Sequence, residues 1–99
     1  MKVVWSPLAV DRVEEIAGYI AQDNPAAAEQ WVKAVFDKVW QTALFPESGR
    51  LVPEVRRRDL RELVFGNYRI IYRLGSAEIA VLTVRHFKQI LPVEEITGP

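Results

Sequence analysis

The 99-residue chain has no cysteine and only one histidine, and these two scarcities limit the chemistry open to it. Without cysteine there is neither a disulfide nor a thiolate metal site, and one histidine excludes a site built from several imidazoles. No run approaches the roughly 20 apolar residues that span a bilayer. No secretory leader follows Met1, so we expect a cytoplasmic protein with no metal, no cofactor and no membrane partner.

The composition is typical of one globular domain over residues 1–99. Hydrophobic residues make up 49% of the chain and charged residues 26%, a balance that supports a core and argues against disorder. The net charge is zero, but residues 50–73 hold 7 arginines against 3 acidic residues. This asymmetry predicts an acidic helical side and a basic sheet side, suited to nucleic acid, a nucleic-acid enzyme or an acidic protein.

Cap signals and apolar spacing predict two helices in the first half of the chain. Ser6-Pro7 and Asn24-Pro25 each combine a capping side chain with a proline at the first helical position. The first helix should run to about Gln22 and the second to about Leu44, and their short junction predicts an antiparallel hairpin. We interpret three large aromatic residues of the second helix as core: Trp31, Phe36 and Trp40.

Runs rich in β-branched and aromatic residues predict four strands. These are Lys2–Trp5, Leu60–Phe65, Tyr68–Leu74 and Ala77–His86. Gly66-Asn67 predicts a tight hairpin turn, so the last three strands form an antiparallel meander that the first strand joins. The predicted fold is α+β, in the order β-α-α-β-β-β, with an antiparallel sheet packed on a two-helix hairpin. The tail, residues 88–99, should be loosely ordered or form a single helical turn.

Side chains alternate across a strand, and this rule assigns the arginines to faces. Arg69 and Arg73 share one face of their strand, and Tyr68 and Tyr72 share the other. The last strand gives two sets, with Ile79, Val81, Thr83 and Arg85 on one face and Ala80, Leu82, Val84 and His86 on the other. Arginines placed in this way either extend to water at the sheet rim or form a cationic surface for a phosphate-rich partner.

Seven polar side chains are the candidates for chemistry or binding. They are Glu54, Arg61, Arg69, Arg73, Arg85, His86 and Lys88. Such a set could hold a phosphodiester, stabilise its charged transition state and supply one acid or base near neutral pH. It could equally be a protein-binding surface, and the residue types alone do not decide between the two.

Six segments carry a resemblance to a known family. They are Tyr19-Ile20-Ala21, Asn24-Pro25, Phe45-Pro46-Glu47-Ser48-Gly49-Arg50, Arg61-Glu62-Leu63-Val64, Asn67-Tyr68-Arg69-Ile70-Ile71-Tyr72-Arg73 and Val84-Arg85-His86. Their order and spacing, over about Lys2 to Lys88, resemble the RelE/ParE superfamily of type II toxin–antitoxin toxins. The resemblance implies a toxin that inhibits growth and is neutralised by a cognate antitoxin, in a higher-order complex.

The superfamily contains two mechanisms. RelE-like members are mRNA interferases that cleave mRNA on the ribosome, whereas ParE-like members inhibit DNA gyrase and have no established hydrolytic activity. A RelE-like mechanism would assign catalysis to Arg69, Arg85, His86 and Glu54. Otherwise, the residues that bind the target or the antitoxin would be Arg61, Arg69, Arg73, Arg85, His86 and Lys88.

Four features favour the ParE-like mechanism. Phe87 stands where the nucleases usually carry an arginine or histidine, and no tyrosine follows Tyr72. His86 and the long helical hairpin resemble ParE-like toxins. We therefore expect a ParE-like gyrase inhibitor. A RelE-like endoribonuclease, which would make the chain an enzyme, stays open, as does a non-toxic remnant that still binds its antitoxin.

Overall fold

The computed structural model describes residues 1–97 and confirms the α+β fold with its two-helix hairpin. Its elements are β1 (Lys2–Trp5), α1 (Pro7–Ala21), α2 (Pro25–Thr42), β2 (Arg50–Leu51), β3 (Leu60–Phe65), β4 (Tyr68–Leu74), β5 (Glu78–His86) and α3 (Glu94–Thr97). The five strands form one sheet in the spatial order β1-β5-β4-β3-β2. The sheet is mixed, because β1 runs parallel to β5 while the other neighbours are antiparallel.

Both helices begin where the cap signals predict. The Ser6 hydroxyl accepts a hydrogen bond from the Ala9 amide at 3.0 Å, and the Asn24 side chain accepts one from the Ala27 amide at 3.1 Å. A proline follows each cap, at the position where its missing N–H costs no helical hydrogen bond. The helices then pack against each other as an antiparallel hairpin.

The β3–β4 hairpin also forms as predicted. Phe65 pairs with Tyr68 across the two-residue turn, and Gly66 has a φ of +58°, a conformation that glycine adopts without a steric penalty. The short strand β2 was not predicted, because two residues are too few to show an alternating pattern. Arg50 of β2 pairs with Glu62 of β3, which extends the sheet by one edge strand.

A β-bulge in β5 corrects the predicted faces of the last strand. Ile71 pairs with Thr83 and Tyr72 pairs with Val81, so Leu82 has no partner of its own. The extra residue reverses the alternation. Val84 therefore lies on the helix side of the sheet with Val81, whereas Thr83 does not share that face. The faces predicted from strict alternation were therefore wrong from Thr83 onward.

Apolar clusters lie on both faces of the sheet. The cluster beneath α1 and α2 is the larger, and its buried members include Val13, Val35, Val39, Ile70, Tyr72 and Val84. The opposite face, which we call the outer face, carries a smaller cluster of Val52, Leu60, Ile71, Leu91 and Ile96. This second cluster is covered by the β2–β3 loop and the C-terminal segment.

Two of the three aromatic residues assigned to the core are exposed, which corrects that interpretation. Trp40 is 69% exposed and Phe36 is 41% exposed, although the Phe36 ring still contacts the Trp5 ring at 4.5 Å between centroids. Trp31 packs at the edge of the main cluster. The apolar stripe of α2 is wider than the surface that the sheet and α1 cover, so the flanking aromatics remain outside.

None of the helices within residues 1–97 is both long and apolar enough to cross a membrane.

The C-terminal segment is packed rather than loose over its described residues. Leu91 and Ile96 are each only 4% exposed and belong to the cluster on the outer face. The single helical turn α3 begins at Glu94. Residues 98 and 99 of the predicted tail lie outside the described part of the chain.

Candidate functional site

Arg69 is the most deeply buried of the predicted site residues. It is 6% exposed, and its guanidinium donates to the Glu62 carboxylate from Nε at 2.9 Å and from Nη2 at 2.6 Å. It also donates to both oxygens of Glu54 at 2.7 Å. Because a buried charge needs a partner, this double engagement explains how an arginine is accommodated on the strand.

Glu62 joins Arg69 to a second arginine. Its side chain is fully buried, and its other oxygen accepts a hydrogen bond from Arg50 at 2.6 Å. Arg50, Glu62, Arg69 and Glu54 therefore form a row of alternating charges, which we call the Arg69 cluster. Hydrogen bonds from Arg69 lower the pKa of Glu54, and those to Glu54 and Glu62 raise the pKa of Arg69.

Arg85 lies directly opposite Arg69 across the β4–β5 pair, but it has its own carboxylate partner. Glu95 of α3 pairs with Arg85, accepts from Arg12 Nε at 3.0 Å and accepts from the Thr83 hydroxyl at 3.1 Å. We call these four residues the Glu95 cluster. Burial opposes ionisation of Glu95, but hydrogen bonds from Arg85 and Arg12 outweigh it and lower its pKa.

The two clusters largely neutralise the part of the outer face that they occupy. Two like charges directly opposite on neighbouring strands would repel each other, and the flanking carboxylates remove that cost. Arg69 and Arg85 thus contact protein carboxylates: all three guanidinium nitrogens of Arg69 donate to Glu54 or Glu62, and Nε and Nη2 of Arg85 donate to Glu95. Among residues 1–97, no three histidine, aspartate or glutamate side chains are grouped closely enough to hold a metal ion.

His86 lies apart from these arginines, on the helix side of the sheet. It pairs with Tyr68, and the two rings meet edge to face with centroids 5.3 Å apart. Its Nδ1 accepts a hydrogen bond from the Lys88 amide at 3.0 Å. His86 also lines an open cleft with Tyr19, Tyr68 and Gln89. The structure therefore brings Arg69, Arg85 and Glu54 to one face and places His86 on the other.

The remaining predicted residues are dispersed. Arg61 donates to three backbone carbonyls, those of Arg58 at 3.0 Å, Glu47 at 3.3 Å and Gly49 at 3.1 Å, and so joins two loops. Arg73 and Lys88 are exposed at opposite ends of the sheet. No single site collects all seven candidates.

Sequence reasoning missed the partners that complete the clusters. Glu62 gave a usable signal. It shares a strand face with Leu60 and Val64, and a carboxylate on such an apolar face requires a cationic neighbour. Glu95 gave none, since it lies 83 residues from Arg12 in a tail without periodicity. Arg12 is typical of the wet side of a helix and reveals its role only in three dimensions.

Comparison with known proteins places these observations in context. The family described as ParE toxin of type II toxin-antitoxin system, parDE, matches residues 3–91. Putative toxin Y4kP of Sinorhizobium fredii (strain NBRC 101917 / NGR234) is 37% identical over 93 residues, which cover 92% of this chain and 93% of that protein. A chain of the chromosomal ParDE TA system from P. aeruginosa has a TM-score of 0.72 at 19% identity, covering 87% of this chain and 95% of that one, which shows a shared fold.

Proposed function

Because this chain belongs to the ParE toxin family of type II toxin–antitoxin systems, we propose that it arrests growth by inhibiting DNA gyrase through protein contacts. In this proposal a cognate antitoxin neutralises it by binding the folded toxin. The chain then acts by occupying a surface of its target and hydrolyses nothing.

The observation that carries this proposal is the engagement of Arg69 and Arg85 by carboxylates of the same chain. A nuclease of the RelE type would need these guanidiniums to contact the scissile phosphate. Here Glu54 and Glu62 hold Arg69, and Glu95 holds Arg85. Ionised carboxylates beside the arginines would also repel an approaching phosphodiester.

The position of His86 supports the same conclusion. A proton-transfer group must come within hydrogen-bonding reach of the reacting atoms. His86 projects to the opposite face from Arg85, its neighbour in sequence, so the two cannot contact one phosphodiester in this arrangement. Glu54 lies on the correct face, but its bidentate pairing with Arg69 holds it as an anion rather than a free base.

Exposed apolar residues near His86 favour a protein target. Phe87 is 42% exposed and Ile90 is 90% exposed, in the segment that follows β5. An apolar pair beside His86 and Lys88 is typical of a surface that a protein partner covers. We therefore assign target contact to residues 86–90, and a supporting role within the fold to Arg69 and Arg85.

The test is a pair of assays on the same purified toxin. We expect inhibition of supercoiling by purified gyrase and no cleavage of mRNA programmed in the ribosomal A site. The variant His86→Ala/Lys88→Ala should inhibit gyrase about tenfold less, since contact residues carry much of a binding free energy. Asp11→Ala, an exposed change on α1, is the matched control and should not alter inhibition.

Other outcomes would replace the proposal with one of the two remaining functions. Cleavage of ribosome-bound mRNA with unaffected supercoiling would make the chain a RelE-like endoribonuclease. Inactivity in both assays, together with normal growth after induced expression and retained antitoxin binding, would make it a non-toxic remnant. Addition of the antitoxin should restore supercoiling if the proposal is correct.

A further inference from the structure

One loop carries two exposed arginines close together in sequence. Arg56 and Arg58 are exposed, and neither forms an ion pair within residues 1–97. Both belong to residues 52–59, which connect β2 to β3 and which we call the arginine loop. The two clusters on the outer face already engage Arg12, Arg50, Arg69 and Arg85, whereas the two guanidiniums of this loop are available to a partner.

The arginine loop is held in a defined shape. Val52 is fully buried at its start, and the Val52 carbonyl accepts from the Arg56 amide at 2.8 Å. Arg56 has a φ of +51°, a left-handed conformation that is uncommon for a residue other than glycine and is often found at functional positions. Arg61 fixes the Arg58 carbonyl, as described above. The two free guanidiniums therefore start from a fixed backbone, which lowers the entropy lost on binding.

A shallow groove beside the loop adds apolar surface to this charge. It has a volume of about 560 Å³ and is lined by Glu47, Leu51, Arg58, Asp59, Arg61 and Leu74. Leu51 is 39% exposed and lies on β2, the edge strand of the sheet. Hydrogen bonds from Arg57 lower the pKa of Asp59, so this carboxylate stays ionised beside the groove.

The chemistry of the groove distinguishes between kinds of partner. A nucleic-acid backbone would bring phosphates close to Glu47 and Asp59, which would repel them. A peptide with separate acidic and apolar side chains can place a carboxylate at Arg56 or Arg58 and an aliphatic group against Leu51. Charge complementarity together with the apolar floor thus favours a protein segment over a polyanion.

We propose that the arginine loop and its groove bind an acidic segment of the antitoxin that also carries aliphatic side chains. This inference rests on the proposed function, because it names the surface at which neutralisation begins. The loop attracts the acidic segment over a distance, and contact with Leu51 and Leu74 then secures it. Electrostatic attraction of this kind acts mainly on the association rate and weakens with salt.

The experiment measures binding of the purified cognate antitoxin to the full toxin. Arg56→Glu/Arg58→Glu should lower the association rate constant by about tenfold at low salt and flatten its dependence on salt concentration. Lys2→Glu/Lys38→Glu makes the same change in net charge away from the loop and should alter the rate far less. Thermal unfolding checks that both variants are folded, and Arg56→Asn/Arg58→Gln replaces the first variant if it is not, because asparagine tolerates a positive φ.

Four results would overturn the assignment. An unchanged association rate in the arginine variant would place the interface elsewhere, and equal losses in both variants would reduce the effect to net charge. Arginine-dependent binding of a DNA or RNA duplex, with unaltered antitoxin binding, would make the loop a nucleic-acid surface. If the unmodified toxin failed to bind the antitoxin at all, the neutralisation part of the proposed function would fail first, and this inference with it.

Discussion

Arg69 and Glu62 form a buried ion pair in which the guanidinium donates two hydrogen bonds to one carboxylate oxygen, at 2.9 and 2.6 Å. The pair joins neighbouring strands beneath the β2–β3 loop, and neither residue is more than 6% exposed. Arg50 and Glu54 complete the charge balance at its two ends. Arg69 and Glu54, two charged groups that a nuclease could have used for chemistry, are therefore engaged in ion pairs within the fold.

Removing Glu62 should destabilise the protein strongly. Glu62→Ala leaves Arg69 buried with only the partly exposed Glu54 as partner, and breaking a buried pair costs about 3–5 kcal/mol. The measurement is the free energy of unfolding from urea titration. Asp59→Ala is the control, because it breaks the exposed pair with Arg57 and should cost less than about 1 kcal/mol. Equal losses in the two variants would mean that burial does not determine how much each ion pair contributes to the free energy of unfolding.

Stability should fall in acid through Glu54 and Glu95, the two carboxylates of the outer-face clusters whose pKa values are lowered in the folded state. Arginine hydrogen bonds hold both below the ordinary value of 4.5, so below that pH the unfolded chain binds protons that the folded chain does not. Their contribution is complete above pH 4.5 and is lost as the pH falls through the lowered values.

Neighbouring glutamates of α3 provide a matched test of this pH dependence. Glu95→Gln should lower stability at neutral pH and reduce its further decline in acid, because the linked proton has been removed. Glu94→Gln should leave the profile unchanged, since Glu94 is exposed and forms no ion pair with any of residues 1–97. Free energies of unfolding measured from pH 7 down to about pH 3 cover the window. An identical decline in both variants would show that other groups control acid unfolding.

Local signals in the sequence predicted the elements of the fold, but not the pairings that depend on distant residues. Ser6, Asn24 and Gly66 act within a few residues of the chain, so their consequences were readable. The bulge at Leu82 could not be predicted, because apolar residues occupy both faces of β5 and the interruption of the alternation leaves no trace in the sequence pattern. Trp40 was assigned to the core from its spacing, yet exposure depends on how much surface the neighbouring elements supply.

The candidate site was only partly predictable for the same reason. The sequence identified Arg69, Arg85 and Glu54, and the structure does place these three on one face. The engagement of Arg85 by Glu95 could not be inferred, since no local pattern links β5 to the tail. Alternation along β5 already separated His86 from Arg85, but the bulge decides which of the two lies on the helix side of the sheet.

The two glycines Gly49 and Gly18 should respond to alanine in opposite directions. A Cβ at Gly49 would lie 2.5 Å from the Tyr72 hydroxyl oxygen and 2.9 Å from the Glu62 carbonyl oxygen. The Gly49 amide also donates to that hydroxyl at 3.0 Å, so the buried ring cannot withdraw without losing the bond. We expect Gly49→Ala to lower the free energy of unfolding by about 1–3 kcal/mol.

Gly18→Ala is the matched change in an open position. Apart from its chain neighbours and the nearby backbone of its own helix, no atom lies within 4 Å of a Cβ built there. The residue sits inside α1, where alanine is favoured over glycine by about 1 kcal/mol. This variant should therefore unfold at a higher urea concentration than the parent protein. A loss of stability at Gly18, or a gain at Gly49, would contradict the packing described for the helix surface and for the Tyr72 hydroxyl. The pair thus tests whether space around the backbone, rather than the residue type, decides the effect of each glycine.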